Sequence, residues 1–158
     1  KVDTENKYII LDTCPDGITE AQFRAIINYH PENATADDVQ LTFSKLKEFK
    51  NAMRICNGCV VTAKAVTDNG TSEEVVYTVI ILGDVSGDGI VMVNDIVLIV
   101  KSLQVDEQQK VPLEEGAQTM AADASQDGKI MVNDAVRIAQ KINNWIDGKW
   151  DEYSSMVR

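Results

Sequence analysis

One block of this chain occurs twice, and it constrains the fold more than any other feature. Gly83-Asp84-Val85-Ser86-Gly87-Asp88-Gly89-Ile90-Val91-Met92-Val93-Asn94-Asp95 returns 39 residues later as Ala122-Asp123-Ala124-Ser125-Gln126-Asp127-Gly128-Lys129-Ile130-Met131-Val132-Asn133-Asp134. A fixed internal period marks one structural unit used twice. Each copy runs into a helical pattern, Ile96 to Leu103 and Ala135 to Ile142. There Ile96, Ile99 and Leu103, and their counterparts Ala135, Ile138 and Ile142, follow the i, i+3, i+7 spacing of a core-facing stripe. Leu113 to Ala121, with Pro112 near its start, reads as a connecting helix.

The spacing of oxygen donors in each copy suits calcium. This hard cation takes six to eight oxygens, and a twelve-residue loop supplies them from positions 1, 3, 5, 7, 9 and 12. In the first copy these are Asp84, Ser86, Asp88, the Ile90 carbonyl, a water near Met92, and Asp95. In the second they are Asp123, Ser125, Asp127, the Lys129 carbonyl, a water near Met131, and Asp134. Position 6 must turn sharply, which favours a residue without Cβ; it is Gly89 and Gly128. Position 8 is apolar in both, Val91 and Ile130, and is expected to join the loops through a short β-contact. Asp and Gly are also ordinary turn residues, but two in-phase copies that both feed helices are a poor match to chance. The Ser at position 3 is a weaker ligand than a carboxylate or amide.

Charge agrees. Residues 83–158 carry 13 acidic and 7 basic residues, a net of −6, and residues 1–82 carry 12 and 8, a net of −4. Two Ca2+ would bring the second region to −2. No basic patch exists to neutralise a row of phosphates, which argues against nucleic acid. The longest apolar run, Val75 to Leu82, is interrupted by Tyr77 and Thr78 and falls short of a bilayer span. The chain begins at Lys1 without Met or signal peptide and reads as a piece of a larger precursor.

Residues 1–82 have a different texture. Tyr8 to Leu11 is a short apolar run; Thr19 caps a helical pattern from Ala21 to Ile27; Val39, Leu41 and Phe43, and then Val61, Ala63 and Ala65, alternate as half-buried strands do. Asp68-Asn69-Gly70 signals a turn, and Glu73 to Leu82 is the returning strand. Cys56-Asn57-Gly58-Cys59 has metal or redox spacing, yet Asn-Gly reads as a tight turn before Val60. With Cys14 the only other cysteine, structural thiols or one disulfide to Cys14 fit better than zinc. His30, the only histidine, has no nucleophile at readable spacing, and no enzymatic role is expected.

Ordinary EF-hands have a helix on both sides of the loop and a Glu at position 12. Here a strand pattern enters the first loop, and position 12 is Asp95 or Asp134. The loop–helix copies, about Gly83 to Asn144, resemble the duplicated repeats of dockerins, whose usual form is G-D-V-N-G-D-G-x-[IV]-x-x-x-D followed by a helix. The region before them resembles the small β-rich X-type or Ig-like modules that precede some dockerins. The expected fold is therefore two modules: a small α+β or β-sandwich-like module at 1–82, then an all-α dockerin at 83–158 with two calcium loop–helix motifs and a connecting helix.

The resemblance implies a secreted protein of an anaerobic bacterium. It would be docked through a cohesin of a scaffoldin to a cellulosome-type, polysaccharide-degrading complex. In dockerins the loop end and outer helix face read the cohesin. The matching positions are Val93, Asn94, Val97, Leu98, Lys101, Ser102 and Val105, and in the second copy Val132, Asn133, Val136, Arg137, Gln140, Lys141 and Asn144. Leu98 against Arg137 and Val105 against Asn144 break the symmetry, which predicts one preferred orientation dominated by the first helix. Trp145, Trp150 and Tyr153 read as a C-terminal clasp. A carbohydrate-binding or spacer role for residues 1–82 is the alternative for that region.

Overall fold

The computed structural model describes residues 1–13, 15–26, 39–66 and 72–147. Cys14, His30, the Asp68-Asn69-Gly70 turn, Trp150 and Tyr153 lie outside them. The elements run β1 (Val2–Asp3), β2 (Tyr8–Leu11), α1 (Glu20–Ile26), β3 (Val39–Phe43), β4 (Leu46–Phe49), β5 (Ala52–Ile55), β6 (Val60–Val66), β7 (Ser72–Ile81), α2 (Val93–Ser102), α3 (Ala117–Ala122) and α4 (Val132–Ile146).

Five strands form one mixed sheet in the order β1-β2-β7-β6-β3, and β4 and β5 form a separate hairpin. Strand β6 pairs antiparallel with both β3 and β7. Strand β2 pairs parallel with β7, Ile9 opposite Val79 and Leu11 opposite Ile81. A parallel neighbour buries β7 on both sides, so Val79, Ile80 and Ile81 are fully buried. One face packs with Phe23 of α1 and Ile55 of β5 into a core that includes Ile9, Ile18, Cys59 and Val61. Phe23 meets Phe43 edge to face at 5.6 Å. Thr19 caps α1 as its sequence suggested: Gln22 N donates to Thr19 Oγ1 while Thr19 N donates to Gln22 Oε1.

The expectation of an all-α second region is overturned. Among the described residues there are seven strands and four short helices, and much of residues 83–131 is loop. The connecting helix is only α3. Its N-cap, Gly116, has φ 92, outside the helical region, so the preceding Leu113–Gly116 stretch is not helical. Loop residues 84–92 and 123–131 follow side-chain carboxylates instead of an intrahelical ladder. A second core gathers Val85, Val91, Ile99, Ala122, Ala135, Ile138 and Ile142, with Ile96, Leu98 and Leu103 partly buried against it. The stripe read from periodicity is therefore the one that packs.

Three main-chain bonds close the strand-to-loop junction, and the last of them joins the two halves. Leu82 N donates to Leu11 O (2.9 Å), Gly83 N to Ala121 O (2.9 Å), and Val91 N to Pro15 O (2.8 Å). The last bond corrects the expected contact between Val91 and Ile130: the Val91 amide is spent on the upstream region. Gly17 has φ 77, and a Cβ there would collide with the Gly89 carbonyl oxygen. Gly17→Ala is expected to cost ~2–4 kcal/mol, since the backbone is left-handed and the obstacle is main chain. A urea or thermal melt checks this; an unchanged midpoint would show that the two loops are not held in contact.

Candidate metal centre

Both copies build the same carboxylate-to-amide network, residue for residue. In the first loop Asp84 Oδ1 accepts from Asp88 N (3.0 Å) and Oδ2 from Gly89 N (2.9 Å). In the second, Asp123 Oδ1 accepts from Asp127 N (3.1 Å) and Oδ2 from Gly128 N (2.8 Å). The position-5 carboxylates each accept from the amide two residues on, Asp88 from Ile90 N and Asp127 from Lys129 N. Position 4 is left-handed in both, Gly87 at φ 67 and Gln126 at φ 59, and so is position 6, Gly89 and Gly128. The left-handed Gln126 was not legible in the sequence, where Gln carries no signal for positive φ.

Position 12 does two jobs. Asp95 Oδ1 accepts from Ser86 N (2.8 Å) and Oδ2 from Met92 N (2.8 Å). Asp134 does the same with Ser125 N (2.9 Å) and Met131 N (2.8 Å). Each carboxylate thus closes its loop and, as the third residue of its helix, caps the orphan N-cap amide of α2 or α4. A negative charge in the first turn also suits the helix dipole. The shorter Asp fits because the helix start lies directly against the loop; Asp95 and Asp134 are fully buried.

Buried carboxylates are costly when charged. Burial pushes the Asp84 carboxyl up to about 6, and the neighbouring Asp95 charge adds to the rise. Burial also raises Asp95. A cation reverses this by favouring the charged form. The donor set fits a hard cation: it is all oxygen, with Asp84, Ser86, Asp88, the Ile90 carbonyl and Asp95 in one loop and Asp123, Ser125, Asp127, the Lys129 carbonyl and Asp134 in the other. Among the described residues no three Asp, Glu, His or Cys side chains are gathered as a ready cage. The Ser86 hydroxyl accepts from Asn94 Nδ2 (3.2 Å), and the Ser125 hydroxyl donates to Asp123 Oδ1 (3.3 Å). Asp88 Oδ2 lies 4.0 Å from Lys47 Nζ.

The sign of the pH dependence follows. In metal-free protein Asp84 keeps its proton to about 6, against an ordinary 3.8. The folded state then binds more protons, so metal-free stability is greatest below that ordinary value and declines as pH climbs through the folded-state one. Stabilisation by added calcium is expected to grow over the same window, because the ion in the first loop must displace that proton. Melts with and without calcium from about pH 5 to about pH 7.5 test it; a calcium increment that shrinks with rising pH would contradict the assignment of Asp84 as a ligand.

Residues 82–143 match the family described as Dockerin type I domain. That stretch, 62 of the 158 residues, is similar to a dockerin. Neither the curated proteins nor the solved structures contain a match. Dockerins of this type bind calcium and anchor the chain that bears them by docking to a cohesin, and the two loops described above both lie within the matched span.

The outer face of the dockerin is uneven. On α2, Val93, Val97, Val100 and, beyond its end, Val105 are exposed apolar residues, with Asn94 and Lys101 exposed beside them. Leu98 and Ser102 are half-buried; Leu98 packs on the core and the Ser102 hydroxyl donates to Ile99 O. Val100 was not among the positions read from sequence. On α4, Val132, Asn133, Val136, Arg137 and Gln140 are exposed. Lys141 instead reaches Asp12 Oδ1 (2.7 Å) and Leu82 O (3.0 Å) and is only 11% exposed. Asp12, Lys141, Arg137, Gln140 and Asn144 border a groove of about 540 Å³ between α4 and the end of β2.

Among the described residues, Cys56 and Cys59 belong to no cluster of metal-ligating side chains. Cys56 and Cys59 are buried free thiols, and burial pushes Cys56 up to about 11, which suppresses the reactive thiolate. The Asn-Gly turn forms as read: Cys59 N donates to Cys56 O (3.0 Å). Three described aromatics of the upstream region have partners within it. Phe23 and Phe43 pack in the core, and Tyr77 lies under Lys7 with 5.4 Å from Nζ to the ring centre.

Proposed function

We propose that this chain is an attachment device rather than an enzyme. Two calcium ions, one per loop, would fold the dockerin, and its α2 face would dock to a cohesin of a scaffoldin in a cellulosome-type complex outside the cell. Val93, Val97, Val100 and Val105 supply the apolar contact, with Asn94 and Lys101 at its rim; α4 contributes Val132, Asn133, Val136, Arg137 and Gln140 less strongly. A contiguous apolar patch with a polar rim is the ordinary make-up of an interface. Residues 1–82 form a brace of X-type character that holds the first loop and spaces the dockerin from its cargo, for polysaccharide breakdown by that cargo.

The observation that carries the reading is the duplicated carboxylate-to-amide network, which places the same donors at the same loop positions twice. Calorimetric titration against a panel of cohesins, with calcium and with chelator, tests it: binding to at least one cohesin only in calcium is expected. Binding that survives chelation would refute it.

The asymmetric face predicts unequal losses. Val97→Asp is expected to weaken cohesin binding about thirtyfold or more, by placing a charge in a desolvated contact, and Val136→Asp less than about threefold. Equal losses would show that both helix faces dock equally well.

A further inference from the structure

The two loops match in their internal carboxylate-to-amide bonds and differ in what surrounds them. The second is surface-exposed around Gly128, where an added Cβ would meet nothing within 4 Å. The first is seated in the upstream half. Asn57 N donates to Asp84 Oδ2 (2.8 Å), a third main-chain donor on the position-1 carboxylate. Asp123 accepts from no residue outside its own loop in the bonds described here. Asn57 is held in turn from three sides. Its Oδ1 accepts from Ile81 N (2.9 Å), its Nδ2 donates to Ala117 O (2.8 Å), and its carbonyl accepts from Lys45 Nζ (3.2 Å). The residue is 4% exposed.

Resting on the calcium reading above, we infer that Asn57 is a positioning residue for the first cation loop, so that the upstream half tunes one calcium site and leaves the other alone. Asn57 touches no cation itself. Its side chain locks the end of β7 and the start of α3 onto one turn, and that turn aims an amide at Asp84. Partners that orient a metal ligand commonly change affinity ten- to a hundredfold when removed. A second upstream group acts in the opposite direction. Lys47, from β4, faces the position-5 carboxylate of the same loop, Nζ to Asp88 Oδ2 4.0 Å. A cation there competes with calcium for Asp88, weakly because Lys47 is 61% exposed.

The test is calcium calorimetry on the full chain, in an Asp134→Asn background that removes the second site, so that the remaining event belongs to the first loop. Asn57→Ala is expected to weaken that event about tenfold. In an otherwise unaltered chain, the event lost in Asp134→Asn should stay within about twofold; a merely structural role would weaken both. Lys47→Ala, an exposed change that leaves folding intact, is expected to tighten the first event about twofold. An unaltered first event in Asn57→Ala, or equal weakening of both events, would overturn the inference. If Asn57→Ala does not fold, Lys47→Ala decides, and unchanged or weaker first-loop binding overturns it. Two normal calcium events with no response to either variant would leave the calcium reading standing and remove only this one; no calcium event in the unaltered chain would remove both.

Discussion

Adding a chelator to the calcium-saturated chain is expected to lower its melting temperature by about 10–20 °C and to abolish cohesin binding. Each ion bound at a hundred times its dissociation constant stabilises the folded state by about 2.7 kcal/mol, and a chain of this size shifts by about 2–4 °C per kcal/mol. The physical cause lies in the buried carboxylates. Asp84, Asp95 and Asp134 are fully buried, and burial raises the first two carboxyls. Without a cation, the first loop must keep Asp84 and Asp95 charged out of water or protonate them. Because Asp95 and Asp134 also cap α2 and α4, a loosened loop frees the start of the helix that carries the docking face. Differential scanning calorimetry and cohesin titration, each with calcium and with chelator, are the measurements. Coincident melts in the two conditions would mean that the loops hold themselves together without metal.

The second large effect separates structural from metal-binding roles. Asp84→Ala, measured in chelator, is expected to cost ~3–5 kcal/mol, because three main-chain amides lose their acceptor and a buried unsatisfied donor costs about 1–3 kcal/mol. Those donors are Asn57 N, Asp88 N and Gly89 N. Asp123→Ala removes the matching residue of the second loop, where the Asp127 and Gly128 amides are exposed and water replaces the carboxylate. Its cost in chelator is expected near 1 kcal/mol. In calcium both variants lose their ion. Urea unfolding with fixed slope gives both numbers. Equal costs in chelator would show that Asp84 is not embedded in the upstream half.

The duplicated block carried most of what could be read directly. The acidic loop positions, the left-handed Gly89 and Gly128, and the core stripe of Ile99, Ile138 and Ile142 all follow from local spacing, because a twelve-residue loop and a helix are short-range objects. The strand alternation of β3 and the Thr19 cap were legible for the same reason. The β4–β5 hairpin was not. Its turn is Lys50-Asn51, both at positive φ (49 and 59), where a Gly would have announced it. The all-α expectation failed in part because Leu113–Ala121 was read as one connecting helix, and Gly116, at φ 92, restricts it to α3.

The amino-acid sequence by itself determined the two acidic loops, the helices behind them and the residues that face their shared core, since each depends on neighbours within a turn or two. Tertiary structure alone decided that the loops are unequal. The parallel pairing of β2 with β7 brings Asp12 to Lys141 and Pro15 to Val91 of the second half, and the Asn57 turn meets Asp84 across 27 positions. Such contacts depend on how the sheet is ordered in space, and no local spacing encodes that order.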